Sequence, residues 1–300
     1  MKDDNAPTKP QDLEPKPPFP PQKLKKPGLE SELHPRPQYK APDYKAAGKL
    51  DGKVAIITGG DSGIGRSVAV VYAREGADVA ITALPSEHGD ADETRRAVEA
   101  AGRRCIVIEG DLSTPAFARD VIARTMDAFG RIDILIHNAA HQNHWKSLDD
   151  ITDEEWDRTF KVNIYAYFWL VKAALPHLKP GASIIASGSQ TGIAGSGQLP
   201  AYATTKGAIH TFTKTLAQLL LDKGIRVNCV APGPVWTPLN PADKGRSPQD
   251  VATFGKKAPI SRPAQPEEVA PAYVFLASEG DASYITGEIV NVLGGTTTAG

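Results

Sequence analysis

The 300-residue chain is 41% hydrophobic and 23% charged with a formal net charge of −1, which allows a sizeable core and gives no electrostatic pull toward nucleic acid or an anionic membrane. It holds no run of 18 or more apolar residues and no apolar signal core after Met1, so neither a membrane span nor secretion is expected. Cys105 and Cys229 both lie in apolar strand-like runs, where a small buried thiol is the simpler reading than a disulfide, and a reducing cytoplasm fits.

Residues 1–45 form a segment of their own, with eleven of the 25 prolines alternating with lysines and acids. No helix or strand is expected at that density. The segment reads either as a disordered or polyproline-like tail or as an arm laid on a neighbouring subunit, with Leu29, Leu33, Tyr39 and Tyr44 as apolar anchors. A third use, as a ligand for aromatic-lined grooves, would want a regular Pro-x-x-Pro repeat that is missing. Residues 46–300 form one domain in which strand and helix patterns alternate without internal repeat, as in a parallel sheet covered on both faces. Strands are expected near 54–58, 78–82, 104–108, 132–136, 183–187, 225–230 and 288–292.

Between the first strand and a helical pattern beginning near Ile64 runs "TGGDSGIG", in which Gly59, Gly63 and Gly65 mark a tight turn. Glycines there let a pyrophosphate approach the free N–H groups of a helix N-terminus, so the turn outlines a dinucleotide site that also takes in Asp61, Ser62 and Ile64. Arg66 in the first helical turn reads as a phosphate contact or, equally, as an exposed solvated charge. Further on, "HNAAHQNHW" brings His137, His141 and His144 close in sequence. With no helical i, i+4 spacing and no accompanying acid or cysteine, they read as loop histidines near a pocket mouth, and no metal is expected.

Tyr202 and Lys206 are four residues apart on one helical face, thirteen positions after Ser189. A phenol with its ordinary pKa near 10 is a poor acid at neutral pH, and an adjacent ammonium would favour the phenolate. The loop from Pro238 to Lys257, rich in Pro, Gly and charge, reads as a mobile lid over a pocket framed by Gln190, Thr191, Gly192, Ile193 and Trp236. Nothing in it groups as a carboxylate or phosphate site.

"TGGDSGIG", Asn163 in "KVNI", Ser189 and "YATTK", with "GDLS", "ILIHNAA", "APGPVWTPL" and "YITGEIVNVLGG", stand in one order over roughly Leu50 to Gly295. In this the chain resembles the short-chain dehydrogenase/reductase family, and the arm resembles that of its glucose/ribitol-dehydrogenase-like, general-stress-protein branch. The resemblance implies a single Rossmann-type, doubly wound parallel sheet of seven strands with helices on both faces. It implies an NAD(P)-dependent oxidoreductase in which Tyr202 exchanges the proton, Lys206 lowers its pKa and grips the nicotinamide ribose, and Ser189 holds the substrate oxygen. Ser187 is the rival serine. Asn163 would hold a water beside the lysine.

The same resemblance places Asp111 and Leu112 by the adenine and Asn138 and Ala139 against the ribose. It gives Pro232, Gly233, Val235 and Thr237 to the cofactor as well. Where relatives that prefer NAD carry an acid at the end of the second strand, this chain has Ala83, followed by Leu84 rather than a basic residue, which tilts the expectation to NADP over NAD by a small margin. The substrate would be a small aldehyde, ketone, sugar or polyol. Relatives usually assemble as homotetramers, and the apolar stretches "IYAYFWLVKAAL" and "AIHTFTKTLAQLLL" suit helices covered on a second face. The competing readings are a nucleotide-binding sensor that has lost turnover and a module that binds partners through its arm.

Overall fold

The computed structural model describes residues 9–298. The apolar runs form seven strands, each within two residues of its expected bounds: β1 (Val54–Ile57), β2 (Asp78–Ala83), β3 (Cys105–Glu109), β4 (Ile134–His137), β5 (Ser183–Ser187), β6 (Arg226–Pro232) and β7 (Ile289–Val292). Between them lie α1 (Gly63–Arg74), α2 (His88–Ala100), α3 (Pro115–Phe129), α4 (Asp153–Phe160) and α5 (Ala166–Ala174). The second half adds α6 (Gln190–Ala194), α7 (Pro200–Leu220), α8 (Pro248–Ala252), α9 (Pro266–Ala277) and α10 (Glu279–Ala282). A five-residue π-helical stretch, Lys161–Tyr165, joins α4 to α5.

All strand pairs are parallel, in the order β3-β2-β1-β4-β5-β6-β7. The chain thus starts in the middle of the sheet and winds outward twice, and the reversal between β1 and β4 opens a crevice at the carboxyl ends of the strands. Strand residues alternate between two cores. Ala55, Ile57, Val79, Ile81, Ile134 and Ile136 pack under α1, α2 and α9, while Ile56, Ala80, Leu135 and Ile184 pack under α3, α5 and α7. Burial on both faces is why these strands read as continuous apolar runs rather than as alternating ones.

The proline-rich segment corrects the expectation of a disordered tail. From Lys9 onward it is not a solvated tail: it crosses its own domain and packs there, with short 3-10 turns at Pro10–Asp12 and Glu30–Glu32. Residues 1–8 of the expected arm lie outside the described residues. Phe19, Leu24 and Leu33 are buried with Trp236, Ala242 and Val251 in a third apolar cluster, Phe19 stacking on Trp236 at 4.1 Å between ring centroids. Tyr39 is buried and donates to Glu93 at 2.9 Å, and the Tyr44 hydroxyl bonds Glu75. That engagement with its own chain also speaks against a free proline-rich ligand.

Candidate active site

At the end of β1 the backbone must turn into α1 within a few residues. Gly59 and Gly63 do so at φ of +61° and +51°, a region that costs a residue with a Cβ. A Cβ on Gly65 would lie 2.0 Å from the Gly59 carbonyl oxygen, so this glycine serves the packing of the turn rather than the pocket wall. Above the turn opens a cavity of about 550 Å³, walled by Gly59, Asp61, Ser62, Gly63 and Ile64 on one side. Its volume and side-chain-free floor fit a dinucleotide. One feature of the turn was not legible in the sequence. Glu30 of the arm, itself wholly buried, accepts a hydrogen bond from the Gly63 N–H at 2.5 Å, taking the first donor of α1 and leaving the amides that follow for a phosphate.

Glu30 also pairs with Arg66 at 2.7 Å. Burial pushes its carboxyl up to about 7, against the pull of Arg66 and of the Gly63 N–H. Arg66 is neither a solvated charge nor a phosphate ligand. It is fully buried and donates to the carbonyls of Asp61 (2.8 Å) and Asp90 (2.9 Å) and to Thr94 (3.0 Å).

The strand end that reads as acid-free is also corrected. Four residues past Ala83, Glu87 folds back so that its carboxylate accepts from the Leu84 N–H at 2.8 Å, and it shares the cavity wall with Asp61. Burial raises both carboxyls; the charge of Asp61 raises Glu87 further, and the Ser62 hydroxyl partly offsets the shift at Asp61. Asp111 and Leu112 line the same cavity at the exit of β3. The Asp111 carboxylate pairs with Arg158 at 2.7 Å and caps the Ser113 N–H at 2.9 Å; burial works to raise it, but these partners hold it below its ordinary range.

Asn138 ties three strand ends together, its amide donating to the carbonyls of Thr58 (3.0 Å) and Gly59 (3.1 Å) and accepting from Ser187 at 3.1 Å. Asn138, Ala139, Pro232, Gly233, Val235 and Thr237 all line the cavity. The rival Ser187 lines the cavity as well, but its hydroxyl is already engaged by Asn138 and by Tyr273 at 2.6 Å. Ser189 caps α6, accepting from the Thr191 N–H at 3.1 Å, and faces the cavity with Tyr202.

Tyr202 and Lys206 lie on α7, the Lys206 ammonium 5.3 Å from the centre of the phenol ring and donating to the Ser187 carbonyl at 2.6 Å. Here the expected direction fails. Burial pushes the phenol up to about 12, only partly countered by Ser189, and burial brings Lys206 down to about 8. Desolvation dominates at the phenol, which stays protonated at neutral pH. Asn163 is fully buried behind the cavity wall rather than in it. Its Nδ2 donates to the His141 carbonyl (2.9 Å) and Thr205 (3.0 Å), its Oδ1 accepts from the His141 N–H (2.7 Å), and its own carbonyl meets His137 Nε2 at 2.8 Å. It clamps the loop after β4 to α7.

The three histidines part company in the structure. His141 turns to Glu155 at 2.8 Å and His144 to Asp243 at 2.6 Å, and among the described residues no cluster of three or more His, Cys, Asp or Glu is placed to hold a metal. Trp236 does not frame the pocket but lies under the arm, donating to the Pro35 carbonyl at 2.8 Å. Gly192 and Ile193 likewise stand back from the cavity wall, which Gln190 and Thr191 do form. The lid is not free: Phe19 N–H bonds the Ala252 carbonyl at 2.8 Å and Leu24 N–H the Pro241 carbonyl at 3.0 Å. Two cations that the sequence did not group, Lys26 of the arm and Arg246 of the lid, reach the cavity. They are 220 positions apart, and nothing local signals their meeting.

The family model described as Enoyl-(Acyl carrier protein) reductase matches residues 59–297. General stress protein 39 of Bacillus subtilis (strain 168) is 50% identical over 271 residues, covering 90% of this chain and 93% of that one. Glucose and ribitol dehydrogenase of Daucus carota is 46% identical over 283 residues, covering 92% and 96%. The solved structure of a short chain dehydrogenase from Burkholderia cenocepacia J2315 in complex with NADP is 35% identical, with a TM-score of 0.76 over 82% of this chain and 98% of that one.

Proposed function

The chain belongs to the short-chain dehydrogenase/reductase family of NAD(P)-dependent oxidoreductases, and from that premise we propose that Tyr202 is the general acid and base at a small aldehyde, ketone, sugar or polyol. The observation that carries the proposal is the convergence of Tyr202, Ser189 and Lys206 on the cavity floored by the glycine turn. The bound nicotinamide supplies or accepts the hydride. Ser189 holds the carbonyl oxygen, and Tyr202 delivers the proton to it; burial keeps the phenol protonated at neutral pH but makes it a weak acid, so the transfer depends on stabilising the phenolate it leaves. Lys206 stabilises the phenolate left behind and reaches for the ribose hydroxyls. Asn163 is a positioning residue that keeps the 141–144 loop against α7. NADPH fluorescence titration followed by a panel of aldehydes, ketones and sugars tests the reading. Cofactor binding with no cofactor oxidation across the panel would return the chain to a nucleotide sensor.

The buried ammonium sets a pH limit. Lys206 carries its charge below about pH 8 and loses it above, so reductive kcat/KM should be flat at neutral pH and fall beyond about 8. Lys206→Ala should cost about tenfold or more in both kcat/KM and NADPH affinity. A profile flat to pH 10 with both parameters intact would make Lys206 structural.

For the cofactor we infer a modest preference for NADPH, supported by Ala83 at the strand end and by the NADP-bound relative. Asp61 and Glu87 temper it, because two carboxyls share the cavity wall with Ala83 and Leu84 and would repel a 2′-phosphate held there. Glu87→Gln should strengthen NADPH binding relative to NADH several-fold, and Ala83→Asp should reverse the preference. Parallel titrations decide; a wild-type preference for NADH would mean that the acidic pair, not Ala83, sets the choice.

Assembly as a homotetramer is supported by exposed apolar side chains on the helices in question, Tyr165 and Phe168 at α5 and Leu219 and Leu221 at the end of α7. Light scattering should give four subunits, and a fully active monomer would refute it. Among the described residues no helix is long and apolar enough to cross a membrane.

A further inference from the structure

We infer that the carbonyl substrate of this site carries an anionic group, a carboxylate or a phosphate, held by Arg246 with Lys26 beside it. The inference rests on the oxidoreductase reading above and narrows its substrate class. Arg246 and Lys26 line the same cavity as Tyr202, one from the lid and the other from the arm.

Among the described residues the Arg246 guanidinium has no hydrogen bond and no ion pair, and its Nε is buried without a partner. It lies over the Phe254 ring, 5.1 Å from the ring centre, which supports its plane without using a donor. Its backbone is fixed, since Lys23 donates to the Arg246 carbonyl at 2.7 Å. The neighbouring acids are already engaged. Asp243 accepts from His144 N–H (2.7 Å), His144 Nδ1 (2.6 Å), Gly245 N–H (3.0 Å) and the Gln142 amide (3.1 Å). Asp250 is turned to Ser247, accepting from its N–H at 2.9 Å and its hydroxyl at 2.7 Å. Lys26 has three donors and spends one, on the Gln142 carbonyl at 2.6 Å. Burial lowers it to about 8, against the charges of Asp243 and Glu155, a cost that a bound anion would offset.

Two partly buried cations with donors to spare are costly to keep unless something fills them. An arginine fork suits a carboxylate or a phosphate, and a lysine adds a point charge. The cofactor's own phosphates are the competing occupant, but position argues against them. Lys26 and Arg246 are tied to the 141–145 segment and to Asp243, and that segment is fastened to the α7 flank through Asn163 to Thr205 (3.0 Å) and through the Trp145 N–H to the Gln198 carbonyl (2.9 Å). No hydrogen bond or ion pair joins either side chain to the glycine turn, whereas the segment that Lys26 holds at the Gln142 carbonyl is fastened to the helix that carries Tyr202.

The test compares charged and neutral aldehydes with NADPH: succinic semialdehyde against butanal, and glyceraldehyde 3-phosphate against glyceraldehyde. The wild type should favour at least one charged member by about tenfold or more in kcat/KM, and which pair shows it separates carboxylate from phosphate. Arg246→Ala should collapse that ratio through KM, Arg246→Lys should restore part of it, and Lys26→Met, on a different element, should lower it too. Calorimetry of the enzyme–NADP complex with succinate and with inorganic phosphate gives a readout without turnover, in which at least one of the two should bind the wild type and not Arg246→Ala. Turnover of no aldehyde together with Arg246-dependent anion binding would sink the oxidoreductase reading and leave the anion site standing. Equal kcat/KM for charged and neutral members without such binding overturns the inference. So does a loss of NADPH affinity in Arg246→Ala larger than the change in aldehyde KM, since it would assign the arginine to the cofactor.

Discussion

Replacing Tyr202 by phenylalanine is expected to lower kcat for carbonyl reduction by about a hundredfold to ten-thousandfold while leaving the Kd for NADPH within about twofold. The substitution deletes only the hydroxyl. The ring is half-buried on α7 beside the Lys206 ammonium, and a phenyl group of the same shape keeps that packing and the ammonium's position. Lys206 still reaches the Ser187 carbonyl, so the cofactor side of the site is intact. What is lost is a proton donor positioned in the cavity beside Ser189, and water cannot take its place without the same geometry. Near-normal turnover would mean that another group protonates the oxygen. Serine 189 alone, which is held by the Thr191 N–H, is the first to examine in that case.

Replacing Glu30 by alanine is expected to destabilise the protein by on the order of 3 kcal/mol, because it leaves Arg66 buried without that partner and uncaps the first amide of α1. The arm has no regular ladder of hydrogen bonds to compensate. It is held by Glu30, by the buried Phe19, Leu24 and Leu33, and by the Asp90 carboxylate, which accepts from the Glu30 N–H at 2.6 Å. Thermal denaturation should show a drop of roughly 5–10 °C. NADPH affinity should fall as well, since the glycine turn and the arm share the Gly63 amide. An unchanged melting temperature would show that the arm is a passenger on the domain, not part of its core.

The domain was legible in the sequence because its strands are buried on both faces, so that seven continuous apolar runs stood out against turn residues. The glycine turn and Tyr202, Lys206 and Ser189 were legible because their chemistry lives in local spacing. Other contacts were not. Glu30 meets Gly63 across 33 positions, and Lys26 meets Gln142 across 116; no local pattern encodes either pairing. Trp236 was misplaced for the same reason, since only the arm's Phe19 and Pro35 reveal which side it packs on. Arg66 has the spacing of a first-turn arginine, and spacing alone does not show that Glu30, Thr94 and two carbonyls enclose it. The phenol's pKa was misjudged because pairing with lysine is visible in sequence and desolvation is not.

The central claim, that this cavity transfers hydride between a nicotinamide and a carbonyl with Tyr202 handling the proton, is tested most directly by isotope transfer. NADPH deuterated at the reactive C4 position is incubated with the enzyme and a set of small aldehydes that includes charged members, and the product alcohol is examined by NMR or mass spectrometry. Deuterium on the carbinol carbon in the wild type, and its loss in Tyr202→Phe at equal cofactor occupancy, is the predicted result. Transfer that proceeds equally well in Tyr202→Phe, or no transfer to any carbonyl by a wild type saturated with NADPH, would contradict it.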